Sequence, residues 1–191
     1  MNFRPLLFYG LALALGAMAP GCGRRQPRRN PRAFANEVAS WMVEEAAKIL
    51  PPGARVVIWA ADPPPTITRP ATRLGDACAR AARAAGFDVR IEQGEWPEAP
   101  LLDEAALQEL QRRHAPLDAV FAVAAGVFFE DSTPAAAQRP RVLVLATRPD
   151  PRLEQWVQTG HIALALMPAD HTAGRSVRDS YRLYTQENSS R

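Results

Sequence analysis

The stretch RVLVLATRPDPRLEQWVQTGHIALALMP, residues 141–168, decides the fold of this chain. Its first apolar run, RVLVLA (141–146), is short, aliphatic and bounded by a turn, which predicts a buried strand. After TRPDP, the segment PRLEQWVQTG predicts a helix, with Pro151 suited to its first turn and Gly160 to its end. HIALALM (161–167) is a second strand. Two apolar strands joined through one helix make a βαβ unit, whose strands run parallel and are covered on both faces.

The same alternation extends upstream. AFANEVASWMVEEAAKIL places Phe34, Val38, Trp41, Met42, Ala46 and Ile49 near the helical period, and PPG at 51–53 stops that helix. RVVIWA (55–60) is a strand, the proline-rich DPPPTITRP a loop, and ATRLGDACARAARAAG a helix. FDVRIEQ (87–93) is a second strand in which Val89 and Ile91 alternate with polar neighbours, as on an edge. LLDEAALQELQRRH is a helix, and DAVFAVAAG (118–126), apolar throughout, is a central third strand. A long loop, VFFEDSTPAAAQRP, leads into the opening stretch.

Right-handed crossovers turn this succession into a doubly wound, mainly parallel five-stranded sheet with helices on both faces. The polar second strand belongs at an edge with the first beside it, which gives the order 2-1-3-4-5. Such sheets bind ligands beyond the carboxyl ends of their strands, where the winding reverses between strands one and three. The loops expected there are 61–71 and 125–139. No internal repeat occurs beyond the βα alternation itself.

The amino terminus has a different character. One arginine, Arg4, precedes an apolar run of thirteen residues from Leu6 to Met18. That is the length of a signal-peptide core and short of the ~20 residues a spanning helix needs. AMA at 17–19 offers a small-x-small cleavage site but is followed by Pro20; cleavage before Cys22 is the alternative. The segment from Ala19 to Cys22 resembles a bacterial lipoprotein signal, in which the cysteine becomes the lipidated first residue. Ala19 stands where that signal prefers leucine and Pro20 is unusual, whereas Gly21 and Cys22 fit. The other readings are a plain secretory signal and an uncleaved anchor.

Residues 22–32 are rich in arginine and proline and nearly devoid of apolar side chains, hence a solvated tether. Lys48 is the sole lysine. Arg4, Arg24, Arg25, Arg28, Arg29 and Arg32 precede the first acid, Glu37; subtracting these six from 23 basic residues leaves 17 against 20 acidic ones, about −3 for the remainder. A nucleic-acid-binding domain requires a basic face, and the folded part has no surplus of positive charge to form one. The predicted organisation is a signal peptide at 1–21, a tether at 22–32, an α/β domain at 33–184 and a flexible tail at 185–191.

Catalytic patterns are missing. No glycine-rich phosphate loop follows the first strand, where prolines remove backbone donors, and there is no P-loop, GxSxG elbow or HExxH helix. Two isolated cysteines, Cys22 and Cys78, and three scattered histidines make no zinc pattern. Cys78 lies in a helical pattern and reads as a small buried hydrophobe. No cofactor is expected. Candidate ligand contacts are Asp62 and Arg73 around the first loop, and Phe128, Glu130 and Asp131 after the third strand, where aromatics beside carboxylates suit a polar ligand. A turn or cap role for Asp62, and a solvated acidic loop at 130–131, are the plainer readings. His114 and His161 read as residues that satisfy backbone groups at element ends; His171 lies near Asp170, Arg175 and Arg178.

RVLVLATRPDPRLEQWVQTGHIALALMPADHTAGRSVRD resembles the last third of the type 1 periplasmic sugar-binding proteins. In that family a strand leads through a turn into a helix ending in glycine, and a strand ending near proline precedes a final helix opened by glycine. Here Gly174 followed by RSVRDSY would be that final helix. RLGDACARAARAAGFDVRIEQGE and DEAALQELQRRHAPLDAVFAVAAG are similar to upstream helix and strand pairs, so the resemblance covers about residues 54–184. It implies a single lobe of a two-lobed fold. The family's polar ligand-binding side chains are not carried over, since Ala124, Ala125, Leu166 and Met167 stand at those places. The expectation is thus an extracytoplasmic lipoprotein anchored in the bacterial cell envelope, periplasmic side. It would bind a small molecule or an envelope protein partner rather than catalyse. The alternatives are a small secreted flavodoxin-like hydrolase or transferase using Asp62 and the 125–139 loop, and a structural lobe that pairs with itself as a homodimer.

Overall fold

The computed structural model describes residues 30–60, 73–93, 101–130, 139–169 and 176–186. In chain order these form α1 (Pro31–Ile49), β1 (Arg55–Ala60), α2 (Leu74–Ala84), β2 (Asp88–Gln93), β3 (Leu101–Leu102), α3 (Glu104–His114) and β4 (Ala119–Val123). Then come β5 (Gly126–Val127), β6 (Arg141–Leu145), α4 (Pro151–Gln158), β7 (Leu164–Pro168), α5 (Val177–Ser180) and β8 (Tyr181–Thr185).

The helices begin where side chains satisfy their first amides. Asn30 accepts from Arg32 N at 3.0 Å with Pro31 in the first turn of α1, and Asp103 accepts from Ala106 N at 2.8 Å at the start of α3. Ser176 and Asp179 bond reciprocally as a capping box on α5. Helix α4 ends as predicted, on Thr159 followed by Gly160 at φ 80°, a left-handed position suited to glycine.

The main sheet has the order β2-β1-β4-β6-β7-β8. The predicted order of the five parallel strands holds, with β1 between β2 and β4 and β2 at the edge. One expectation is corrected. The sheet has six strands, because the segment read as a final helix supplies only the short α5 and then turns into β8. Strand β8 lies antiparallel on β7, from Leu164↔Thr185 to Pro168↔Tyr181, and covers what would have been an open edge. Among the described residues the elements run from Pro31 to Thr185. A second, two-residue pairing joins β3 to β5.

Alternation along the strands divides the core in two. Val56, Ile58, Phe121, Leu143 and Leu164 point to the layer under α1 and α2, where Cys78 is buried. Val57, Val120, Val144 and Ala165 point to the layer under α3 and α4, which contains Leu107, Leu110 and Trp156. Every residue of β4 is buried, which is why its sequence is apolar throughout.

Helix α1 runs antiparallel to the parallel strands. At its last turn, Ile49 O accepts a hydrogen bond from Arg141 at the amino end of β6. At its first turn, Phe34 packs on Tyr181, which pairs with Pro168 at the carboxyl end of β7. The start of α1 therefore lies at the carboxyl-end side of the sheet.

Candidate functional site

At the carboxyl ends of β4 and β6 the chain leaves the sheet in two directions, and a cleft of about 770 Å³ opens between them. After Val123, Ala124 adopts φ 54° and donates its N–H to Leu145 O at 2.9 Å. That left-handed turn sends the chain sideways into β5, which pairs with β3. Ala125, Val127 and Ala146 supply an apolar wall, and Leu101 and Phe128 stand at the rim, 50% and 44% exposed.

The opposite rim is the turn Thr147–Arg148–Pro149–Asp150 and the first turn of α4. Asp150 caps that helix by accepting from Arg152 N at 3.1 Å, and it also accepts from Arg152 Nε at 3.0 Å and Nη2 at 2.8 Å. The Arg152 guanidinium holds the Asp150 carboxyl below the ordinary carboxylate range, and partial burial opposes it. Arg152 also lies over the Trp156 ring at 5.4 Å. Asp150 N donates to the Met167 sulfur at 3.0 Å, which ties the turn to the end of β7. Arg148 is exposed and makes no ion pair or hydrogen bond among the described residues.

Phe128 is also one wall of a smaller concavity of about 320 Å³, between the start of α3 and the segment 128–130. Asp103, Glu104, Glu130 and His161 line it. His161 is buried at 3% exposure, stacks on Phe129 with ring centroids 5.6 Å apart, and has its Nδ1 2.8 Å from Thr159 Oγ1. Beside it, Arg139 pairs with Glu104 at 3.3 Å, donates to Gly160 O at 3.3 Å and covers the Phe129 ring at 5.2 Å. Burial pulls the Arg139 guanidinium below the usual arginine range, against the upward push of Glu104.

Of the residues singled out from sequence, Phe128 and Glu130 line these concavities. Arg73 is the residue before α2; its Nε lies 3.1 Å from Asp76 Oδ2 on its own helix, and it lines neither concavity. His114 pairs with Glu92 on the edge strand β2 at 2.8 Å and lines neither concavity. Cys22, Asp62, Asp131 and His171 lie outside the described residues. Sequence reasoning missed Leu101, Arg148 and Arg152. A signal was present for the arginines, which flank the turn at the carboxyl end of a predicted strand, the end where open α/β sheets hold ligands. The cleft lies between β4 and β6, one strand over from the expected reversal between β1 and β4. Among the described residues no group of three histidine, cysteine or acidic side chains could hold a metal ion. No helix among them is long and apolar enough to cross a membrane.

One solved structure shares the fold of this doubly wound lobe over most of the chain. The sugar-binding protein of a sugar ABC transporter from Bacillus halodurans matches 81% of this chain and 63% of its own length, at 13% identity and a TM-score of 0.50. A solute-binding protein of an ABC transporter from Burkholderia multivorans matches 78% of this chain and 50% of its own, at 17% identity and a TM-score of 0.46. The substrate-binding protein of a sugar ABC transport system from Bordetella parapertussis 12822 matches 72% and 42%, at 15% identity and a TM-score of 0.46. At such identity the likeness is one of fold, and the chain spans between 42% and 63% of the length of these proteins. No protein-family model and no curated protein matches it.

Proposed function

We propose that this chain is an extracytoplasmic lipoprotein, anchored through Cys22, whose single lobe binds a small ligand or an envelope protein and does not catalyse. The observation that carries the binding reading is the cleft between the carboxyl ends of β4 and β6, within the ~300–1,000 Å³ range of ligand pockets, with mostly apolar walls and a short polar rim. Its one carboxylate, Asp150, is engaged by the helix amides and by Arg152. The fold it shares with the Bacillus sugar-binding protein supports the same reading. The anchoring rests on the Ala19–Cys22 signal and on the tether, whose arginines suit anionic headgroups at ~1 kcal/mol each.

Intact mass of the protein extracted from its native membrane tests the anchor. The expected mass is that of residues 22–191 plus acyl groups, and Cys22→Ser should release the protein from the membrane fraction. A mature mass without lipid would refute the anchor and leave the binding reading to stand on the cleft alone.

One observation favours a second reading, a secreted hydrolase. Glu130 and His161 share the smaller concavity, as an acid and a base would. Loss of a hydrolytic activity in both Glu130→Gln and His161→Gln, with the fold retained, would establish it in place of the first.

A further inference from the structure

The described residues include three exposed large hydrophobic side chains: Leu101, Phe128 and Ile91. Ile91 sits on the edge strand β2, whereas Leu101 and Phe128 both stand at the rim of the cleft, reached from different segments and brought together by the β3–β5 pairing. Behind them Ala125, Val127 and Ala146 continue the apolar surface inward. A sugar ring needs several convergent acceptors for its hydroxyls, and the carboxylate that could serve here is already saturated by Arg152. What is left uncommitted among the described residues is a cation, Arg148, with the Thr147 side chain beside it.

From this division we infer that the cleft takes an acyl chain of an anionic amphiphile. The hydrocarbon lies against Leu101 and Phe128, and the anionic head meets Arg148. An apolar chain gains by leaving water in proportion to the area it covers, and a guanidinium with no partner of its own gains a charge-assisted hydrogen bond without having to break one. Helix α1 starts at the same end of the sheet as the cleft, so a domain anchored through the segment before α1 would hold this surface where such molecules are most concentrated. The inference rests on the cleft being a binding site, as proposed above, and specifies what binds there.

The test is calorimetric titration of the full chain carrying Cys22→Ser with dodecanoate, with dodecyltrimethylammonium and a hexose as comparisons. Saturable one-to-one binding of dodecanoate with a negative heat-capacity change is expected, and none of the cationic analogue or the hexose at the cleft. Arg148→Gln should weaken dodecanoate about tenfold or more, by loss of one hydrogen bond between charged groups. Phe128→Ser should weaken it about tenfold, by loss of apolar cover. These side chains are exposed, so the variants should melt with the parent, and that control separates lost binding from lost fold. Cosedimentation with phosphatidylcholine vesicles, with and without phosphatidylglycerol, assigns the source. Capture that requires both the anionic lipid and Arg148 identifies a membrane lipid, and dodecanoate binding without such capture identifies a free amphiphile. Hexose binding that Arg148→Gln abolishes would overturn the amphiphile and keep the binding reading. Dodecanoate binding indifferent to Arg148 and Phe128, or no binding of any of these solutes, would overturn the inference.

Discussion

The ring of Phe34 lies 6.1 Å from that of Tyr181, tilted by 49°, and this contact fixes where the first turn of α1 sits on the sheet. Tyr181 pairs with Pro168, the last residue of β7, so the start of α1 stands at the carboxyl ends of the strands, level with the cleft. From Cys22 to Asn30 the chain can extend by about 28 Å at most. The strands themselves span about 17–20 Å, so the amino end of the sheet lies that much farther from any membrane holding Cys22. In the processed, lipidated protein on vesicles with headgroup quenchers, a fluorophore at Thr147→Cys should be quenched more than one at Asp88→Cys. Equal quenching would mean that the domain tumbles freely and the shared end has no consequence.

The buried pair beneath the smaller concavity is asymmetric, and its asymmetry is testable. The Arg139 side chain is 8% exposed whereas that of Glu104 is 37% exposed, so water can replace the partner of one and not of the other. Glu104→Gln should cost about 1–2 kcal/mol, because it leaves a buried guanidinium without its counter-ion. Arg139→Met should cost less, since it removes the charge that is expensive to bury and keeps an apolar stem on Phe129. Urea unfolding of both variants decides it; the opposite order would mean that the bond to Gly160 O outweighs the buried charge.

Most of this fold could be read from the sequence, because each parallel strand is a short apolar run and each helix carries its own stop signals. RVLVLA, DAVFAV and RVVIWA are apolar because both of their faces are covered, and the polar face of FDVRIEQ marked β2 as the edge. Strand β8 was not legible in the same way. Tyr181 and Leu183 alternate with arginine and tyrosine, a strand pattern, but the preceding SVRDS carries a true helix cap and the resemblance to a sugar-binding lobe continues it as helix. The site was harder still. Leu101 and Phe128 meet only through a pairing of two residues per strand, too short to leave a periodic signal, and Arg148 gains its meaning from what surrounds it.

Asp150 makes a pH-dependent contribution whose sign follows from its depressed pKa. The bond from Arg152 stabilises the ionised form, so the contribution is fully present above the ordinary carboxylate value of about 3.9 and is lost as pH falls through the lower folded-state value. Asp150→Asn keeps a good helix cap and loses the charge, so it should cost under about 1 kcal/mol at pH 7, as expected for a mostly solvated pair. That difference should hold from pH 8 to 5 and shrink below about pH 4. Asp150→Ala should cost about 1 kcal/mol more than Asp150→Asn, by loss of the cap. A difference between parent and Asn variant that persists at pH 2 would show that the carboxyl acts through its geometry and not its charge.

Ala124 carries the only positive φ, 54°, found at a non-glycine among the described residues, and it does so at the floor of the cleft. A methyl group in the left-handed region crowds the backbone by roughly 1–2 kcal/mol, while glycine at the same place costs about 0.5–1 kcal/mol in unfolded-state entropy. Ala124→Gly should therefore stabilise the domain by a fraction of a kcal/mol up to about 1 kcal/mol, measured by urea unfolding at constant m-value. Ala124 lines the cleft, and the same substitution should weaken any ligand that packs there while it raises stability. Loss of stability instead would mean that the Ala124 methyl holds the β4–β5 turn in place, and that the left-handed backbone is retained for packing and not for the ligand.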